Sequence, residues 1–421
     1  MGFGVPLNQD HRADLRQRFR AVRARSLAIA APLSAEDMGA QAMEDASPAK
    51  WHLAHTTWFF AEFVLAGRVA TGAPSAWRYL FNSYYEAIGP RIARPSRGLI
   101  TRPPVAEVLD WRRRIDDALD DLLDQAGGAA FAELAPLVEL GLNHEEQHQE
   151  LMLTDILALF AAHPDTPTYR DDLAPLSEDK RSDRQWLSRQ GGLTETGAEA
   201  SGFAFDCERP RHRVWLEPFA LADRLVTNAE WLEFIEDGGY ANPLLWLSEG
   251  WACVKREGWS APGYWRFVDD AWRQVTLAGL APLTPAAPVS HVSYWEADAY
   301  ARWAGARLPR EAEWEAVAAA ESVRGNLLGA DRLRPTPRGE TAQFFGDVWE
   351  WTQSAFSPYP GFRPAQGAFG EYNGKFMAAQ FVLRGGSCLT PEAHIRASYR
   401  NFFYPQQRWQ MMGLRLAKDL S

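Results

Sequence analysis

A helical repeat of apolar residues fills the first ~165 positions and then stops, and that break constrains the fold more than any other feature of the chain. Apolar side chains recurring every three or four residues mark one buried stripe per helix. They recur in a basic segment, residues 12–25, through Leu15, Phe19, Val22 and, just beyond, Leu27, and again in residues 48–67, 105–125 and 134–162. The basic segment reads as an amphipathic first helix with a solvated basic face. Thr101-Arg102-Pro103-Pro104 marks the entry of the third helix, and His163-Pro164 the end of the fourth. Four helices are the minimum for an up-down bundle. Residues 79–102, rich in Pro, Gly, Arg and Tyr, are too long for a simple connector, and loops of that kind often carry function.

Residues 166–200 are polar and charged (Asp171-Asp172, Glu178-Asp179-Lys180-Arg181, Gly191-Gly192) and read as a linker or wrapping segment. From 201 to 421 helical periodicity thins and Trp, Gly and Pro become frequent. Two short helices are still expected, each opened by a capping box: Thr227 with Glu230, and Ser293 with Glu296. The expectation is an α+β chain of two domains, 1–165 helical and 201–421 with little regular structure, which suits 421 residues. Its 18 Trp, 12 Tyr and 22 Phe can pack loops around indoles and offer ring faces to a cationic ligand. A net charge of −10 argues against nucleic acid as the main partner. Three scattered cysteines, Cys207, Cys253 and Cys388, fit a reducing cytoplasm without a disulfide framework. No apolar run approaches the ~18 residues of a membrane span, and no signal peptide is read before the basic helix. The expected location is cytoplasmic, and no feature specifies an oligomeric state.

The sharpest chemical signal is Asn143-His144-Glu145-Glu146-Gln147-His148-Gln149-Glu150. His144 and His148 stand at i,i+4, on one helix face shared with Leu137, Leu140 and Leu151. Two imidazoles turned into an apolar interior need partners, and a shared divalent metal satisfies both. The string also matches the His-Glu-x-x-His of zinc proteases, so the motif does not by itself separate zinc protease from iron oxygenase. Gln147 lies on the same side, placed to hydrogen-bond a substrate. Glu150 sits ~240° round the helix from His144, so the third ligand has to come from another helix. The candidates are His52 and His55 in Trp51-His52-Leu53-Ala54-His55. Three neutral imidazoles suit Fe(II), Zn or Cu.

Ser47-Pro48-Ala49-Lys50-Trp51-His52-Leu53-Ala54-His55, Phe81-Asn82-Ser83-Tyr84-Tyr85 and the His144/His148/Glu150 pattern together resemble the sulfoxide synthases of ergothioneine biosynthesis. The second half resembles the same family through His291-Val292-Ser293-Tyr294, Arg307-Leu308-Pro309-Arg310-Glu311, Gly346-Asp347-Val348-Trp349-Glu350-Trp351 and Arg384-Gly385-Gly386-Ser387. The resemblance covers nearly the whole chain. It implies a DinB-like four-helix bundle joined to a C-type-lectin-like domain of the formylglycine-generating-enzyme kind. It implies Fe(II) held by His55, His144 and His148, with O2 coupling the sulfur of cysteine or γ-glutamylcysteine to C2 of the hercynine imidazole. Gln147 is then a substrate contact, and Tyr84 or Tyr85 the donor of a proton or hydrogen atom. Aromatic faces suit the trimethylammonium of hercynine, and arginines suit the carboxylates of amino-acid substrates. Arg400, Asn401, Phe402, Phe403 and Tyr404, with Arg91, Arg94 and Arg97 in the loop, are the substrate-binding candidates.

Two positions depart from the family. Lys375-Phe376-Met377 is followed by Ala378-Ala379 where relatives tend to carry a cysteine, and Tyr404 follows Asn401-Phe402-Phe403 where another residue is common. These departures leave room for the related branch that takes selenium from a selenosugar and makes selenoneine. Of the other classes, a copper-dependent formylglycine generator needs a close cysteine pair that Cys388 lacks in sequence. A zinc-dependent DinB-like thiol transferase or hydrolase would use the same three histidines. A lectin-like binding module would leave the inward histidines unexplained.

Overall fold

The computed structural model describes residues 9–174, 176, 183–339, 342–366, 370 and 373–420. They form two compact units, Met1–Asp165 and Thr166–Ser421.

The first unit is helical: α1 (Gln9–Ala30), α2 (Ala35–Gly39), α3 (Ala49–Phe59), α4 (Ser75–Phe81), α5 (Val105–Gln125) and α6 (Gly128–Ala162). α3 runs on into a π-helical turn, Phe60–Leu65, and a 3-10 turn spans Arg94–Leu99 inside the long loop. α6 begins before the periodicity expected from 134 onward and carries Pro136 in its interior. The core is built from Phe19, Trp58, Phe60, Val108, Trp111, Ile115, Leu119, Val138 and Leu142. Leu27, expected on the inward stripe of α1, is 40% exposed, and Arg23 and Ser26 are buried instead. The basic face of α1 is not simply solvated either. Arg16 and Arg20 bind Asp120 of α5 and Arg23 binds Asp116, so the charges close an interhelical seam. The partly exposed Arg16 and Arg20 pairs contribute about 0.2–1 kcal/mol each, enough to orient α1 against α5 but not to build the core.

Gly141 sets the approach of α3 to α6. A Cβ there would lie 2.5 Å from the Phe60 ring and 3.2 Å from that of Phe59. The missing side chain lets the Phe59 and Phe60 rings sit against the α6 backbone one turn before His144.

The second unit combines short strands and helices with long ordered loops. A four-stranded sheet runs Asn401–Phe403, Phe381–Arg384, Trp349–Ala355, Met412–Gly413, antiparallel except for its last pairing. Trp186–Arg189 and Ala417–Asp419 flank Phe219–Ala222 in a three-stranded antiparallel sheet. Gly192–Thr196 pairs with His212–Leu216, and Trp265–Val268, Ala271–Thr276 and Gly279–Pro282 form a meander. Two of these strands lie within the stretch read as a linker, which is therefore partly built into this unit. Its Glu178-Asp179-Lys180-Arg181 run falls outside the described residues. Thr227 and Ser293 cap Asn228–Glu236 and Tyr294–Trp303 through the expected boxes with Glu230 and Glu296. Buried ion pairs replace regular structure as cross-links: Arg415–Glu350, Arg384 with Glu311 and Glu315, and Arg224–Glu230. Among the described residues, no helix is long and apolar enough to cross a membrane.

Candidate metal centre

α3 and α6 bring His55, His144 and His148 together, with one ring nitrogen of each inside a group whose members all lie within 4.8 Å of one another. The ring centroids are 4.6–4.9 Å apart. His55 Nε2 and His144 Nε2 are separated by 3.2 Å. Two nitrogens each ~2.1 Å from one cation, at 90–109°, lie roughly 3.0–3.4 Å apart, so this pair has the spacing of two ligands to a shared ion. His55 Nδ1 donates to the Phe81 carbonyl at 2.6 Å, which leaves its Nε2 lone pair for the group. His148 Nδ1 lies 2.8 Å from His52 Nδ1, which leaves Nε2 of His148 in the same role. The group contains no carboxylate among the described residues.

Burial keeps the rings neutral, the protonation state a metal requires. It pushes His144 down to about 3, against the opposing pull of the Glu145 charge. His55 and His148 are also held well below the ordinary histidine range, first by burial and then by neighbouring His144.

The walls are aromatic. The His55 ring is sandwiched between Trp51 (4.6 Å, 12° between planes) and Trp58 (5.6 Å, 16°). The Arg97 guanidinium caps the far face of Trp51 at 3.4 Å and reaches Ser47 Oγ at 2.8 Å. Phe59 lies 4.6 Å from the His144 ring. This column of guanidinium, indole, imidazole and indole fixes the His55 plane by packing.

Glu145 decides what the His-Glu-x-x-His string means. Its carboxylate is fully buried and accepts from Arg23 Nη1 at 2.8 Å, Ser26 Oγ at 2.6 Å and Arg112 Nη2. Burial alone would raise its pKa, but the charges of Arg112 and Arg23 overrule that and hold it at about 2. A carboxylate clamped between two guanidiniums cannot serve as the general base that a zinc protease needs from this position.

The other residues singled out from the sequence fall into three groups. Gln147, on α6 between the two histidines, is half-buried, and so is Tyr84. Tyr85 is fully buried, packed on Trp58, Phe63 and Tyr84 at 5.0–5.7 Å or, for Tyr84, 4.7 Å. Arg94 is exposed, Arg91 pairs with Glu86 at 2.9 Å, and Arg97 is buried in the aromatic column. In the second unit Phe402 stacks on Phe356 at 4.1 Å, Phe403 meets Trp409 edge-on at 5.6 Å, and Tyr404 is 42% exposed. The Asn401 side chain accepts from the Phe402 N–H. Arg400 differs from the expectation of a free carboxylate receptor. Its Nε and Nη2 donate to Glu311, and Nη1 donates to the Cys207 carbonyl, so it is an internal cross-link. His52, the other candidate for the third ligand, lies outside the three-histidine group and stands 3.0 Å from Asp155, which no motif marks although it follows His148 by seven residues on the same face of α6.

Residues 18–152 match the DinB superfamily model, and residues 174–339 and 331–420 match the sulfatase-modifying factor enzyme 1-like domain. The hercynine oxygenase of Mycolicibacterium thermoresistibile is 32% identical over an alignment that covers 100% of this chain and 97% of that protein. The hercynine oxygenase of Mycolicibacterium smegmatis is 35% identical over 73% of this chain and 76% of that protein. That of Mycobacterium tuberculosis is 40% identical over 52% of this chain and 56% of its own length. The chain therefore belongs to the hercynine oxygenase family, with a DinB-type helical domain followed by a sulfatase-modifying-factor-like domain.

Proposed function

We propose that this chain is an Fe(II)- and O2-dependent enzyme that joins sulfur to C2 of the hercynine imidazole, with cysteine or γ-glutamylcysteine as donor. The observation that carries the reading is the convergence of three buried, neutral imidazoles beside a Glu145 that is withdrawn into an ion-pair cluster. That arrangement sets aside the zinc protease that shares the same sequence motif. Ferrous iron bound by His55, His144 and His148 would supply O2 activation and a common anchor for both substrates.

The chain's own residues supply the rest. Trp51 and Trp58 hold the His55 ring and exclude water from its faces. Gln147 offers a carboxamide to the substrate imidazole from the half-buried side of α6. Tyr84 or Tyr85 donates the proton. Arg91 and Arg94 are the carboxylate receptors, because Arg400 spends its donors on Glu311 and backbone carbonyls. A selenosugar donor is the second reading, favoured by Ala378-Ala379 and Tyr404 at the two positions that depart from the family.

The test is anaerobic Fe(II) loading followed by hercynine, O2 and a panel of donors (cysteine, γ-glutamylcysteine, a selenosugar), with O2 uptake and product mass measured. Hercynine-dependent O2 uptake with a C2-coupled product is expected. Tightly bound zinc with no O2 uptake defeats the reading. His144→Ala and His148→Ala should each lose stoichiometric iron, and full retention in either removes that residue from the ligand set.

A further inference from the structure

His52 is a fourth buried histidine beside the three-histidine group, and the oxygenase reading leaves it without a role. It stands one turn before His55 on α3. Its Nδ1 lies 2.8 Å from His148 Nδ1 and its Nε2 lies 3.0 Å from Asp155 Oδ2. The same carboxylate oxygen accepts the Ser47 N–H at 2.7 Å, so Asp155 is itself anchored at the start of α3. Asp155, His52 and His148 thus form one continuous chain of contacts, all three side chains being buried.

The direction of that chain follows from elementary proton counting. The contact between the two Nδ1 atoms needs one proton. If His148 donates it, His52 accepts with its Nδ1 lone pair, carries its own proton on Nε2, and donates that proton to Asp155. If neutral His52 donates instead, its bare Nε2 lone pair faces the Asp155 carboxylate, lone pair against negative charge. Any arrangement with His52 as donor to His148 also puts the His148 proton on Nε2, the nitrogen that the Nδ1 contact leaves for the three-histidine group. Only the first arrangement satisfies the carboxylate with a neutral His52 and leaves His148 Nε2 free to bind a cation.

We propose that Asp155 and His52 are positioning residues that brace His148, fixing its Nδ1–H tautomer and ring plane so that its Nε2 lone pair points into the three-histidine group. The proposal rests on reading that group as a metal centre. Partners of this kind behind a ligating histidine typically change metal affinity 10–100-fold. The other two ligands are held differently: His55 by a backbone carbonyl and two indoles, His144 against Phe59. Loss of the brace therefore weakens one ligand of three rather than dismantling the site.

The experiment uses the full-length, metal-free chain, titrated with Co(II) and, anaerobically, Fe(II) against a competing chelator. The Co(II) visible absorption reports ligand geometry. His52→Leu and Asp155→Leu should bind each ion about 10–100-fold more weakly with an altered Co(II) spectrum. His52→Asn, which returns an acceptor near the Nδ1 position, and Asp155→Asn, which keeps an oxygen at the Oδ2 position, should recover part of the affinity. Metal-free melting temperatures show which variants fold, and where a leucine variant does not, the asparagine variant at the same position carries the comparison with wild type. Folded His52 and Asp155 variants with wild-type affinity and spectrum overturn the brace. A wild-type chain that takes up neither ion overturns the metal-centre reading instead, so the two failures are distinct.

Discussion

Glu145→Gln tests the first unit where its charge is most concentrated. The carboxylate is fully buried between Arg23 and Arg112 and accepts a further hydrogen bond from Ser26. The substitution keeps the shape and removes the charge, leaving two buried guanidiniums. Arg23 retains Asp116 and Thr57, and Arg112 retains Thr56 and the Arg23 carbonyl, so the loss is partial. Removing one partner of a buried pair costs about 3–5 kcal/mol. A carboxyl held at about 2 against an unfolded value near 4.5 gives an independent figure of roughly 3 kcal/mol, at ~1.4 kcal/mol per pH unit. We expect Glu145→Gln to lower stability by about 3 kcal/mol at pH 7, near two decades in the folded-to-unfolded ratio. Urea denaturation of the metal-free chain, followed by tryptophan fluorescence, measures it. The sign with pH is fixed: a depressed carboxylate contributes fully above ~4.5 and loses that contribution as pH falls toward ~2. The wild-type excess over the variant should shrink across that window. The folded, iron-loaded variant should keep its coupling rate, because the Glu145 carboxylate is taken up by Arg23, Ser26 and Arg112 and is not a member of the three-histidine group. A change below ~0.5 kcal/mol, or normal stability with abolished activity, refutes the reasoning.

Gly141→Ala should destabilise the chain by about 1–3 kcal/mol in urea titration, because the new Cβ meets the Phe60 ring and that overlap outweighs the ~1 kcal/mol of helix propensity gained; a stabilised variant would show that the rings move aside freely. The metal-free protein should lose stability as pH falls from about 7 to about 4, since the three buried imidazoles stay neutral while their unfolded counterparts protonate below ~6.5. A flat stability profile over that range contradicts the neutral buried state. Tyr84→Phe and Tyr85→Phe, assayed separately for C2 coupling, should between them reveal a rate loss of about 10²-fold or more; full rates in both remove the loop phenols from the chemistry.

The local features were legible because they depend on neighbours in sequence. The capping boxes of Thr227 with Glu230 and Ser293 with Glu296 need only a three-residue spacing, and the structure has both. His144 and His148 share a face because 3.6 residues make a turn. Leu27 departs from the expected stripe for the complementary reason. Periodicity locates a stripe to within one residue's rotation, and the acidic face of α5 turned Arg23 inward in its place.

Taken by itself, the sequence determined the helical first half, the loop-rich second half, two inward histidines on one turn of helix, and a family resemblance that points to His55 as their partner. What Glu145 does, which face of His52 meets which partner, and whether Arg400 is free were decided only by the tertiary structure. Glu145 meets Arg23 across 122 residues, His52 meets His148 across 96, and Arg400 meets Glu311 across 89. Helix and strand periods specify which side chains share a face. They carry no information about which distant face arrives opposite, and that is set by how the helices cross and where a residue as small as Gly141 lets them close.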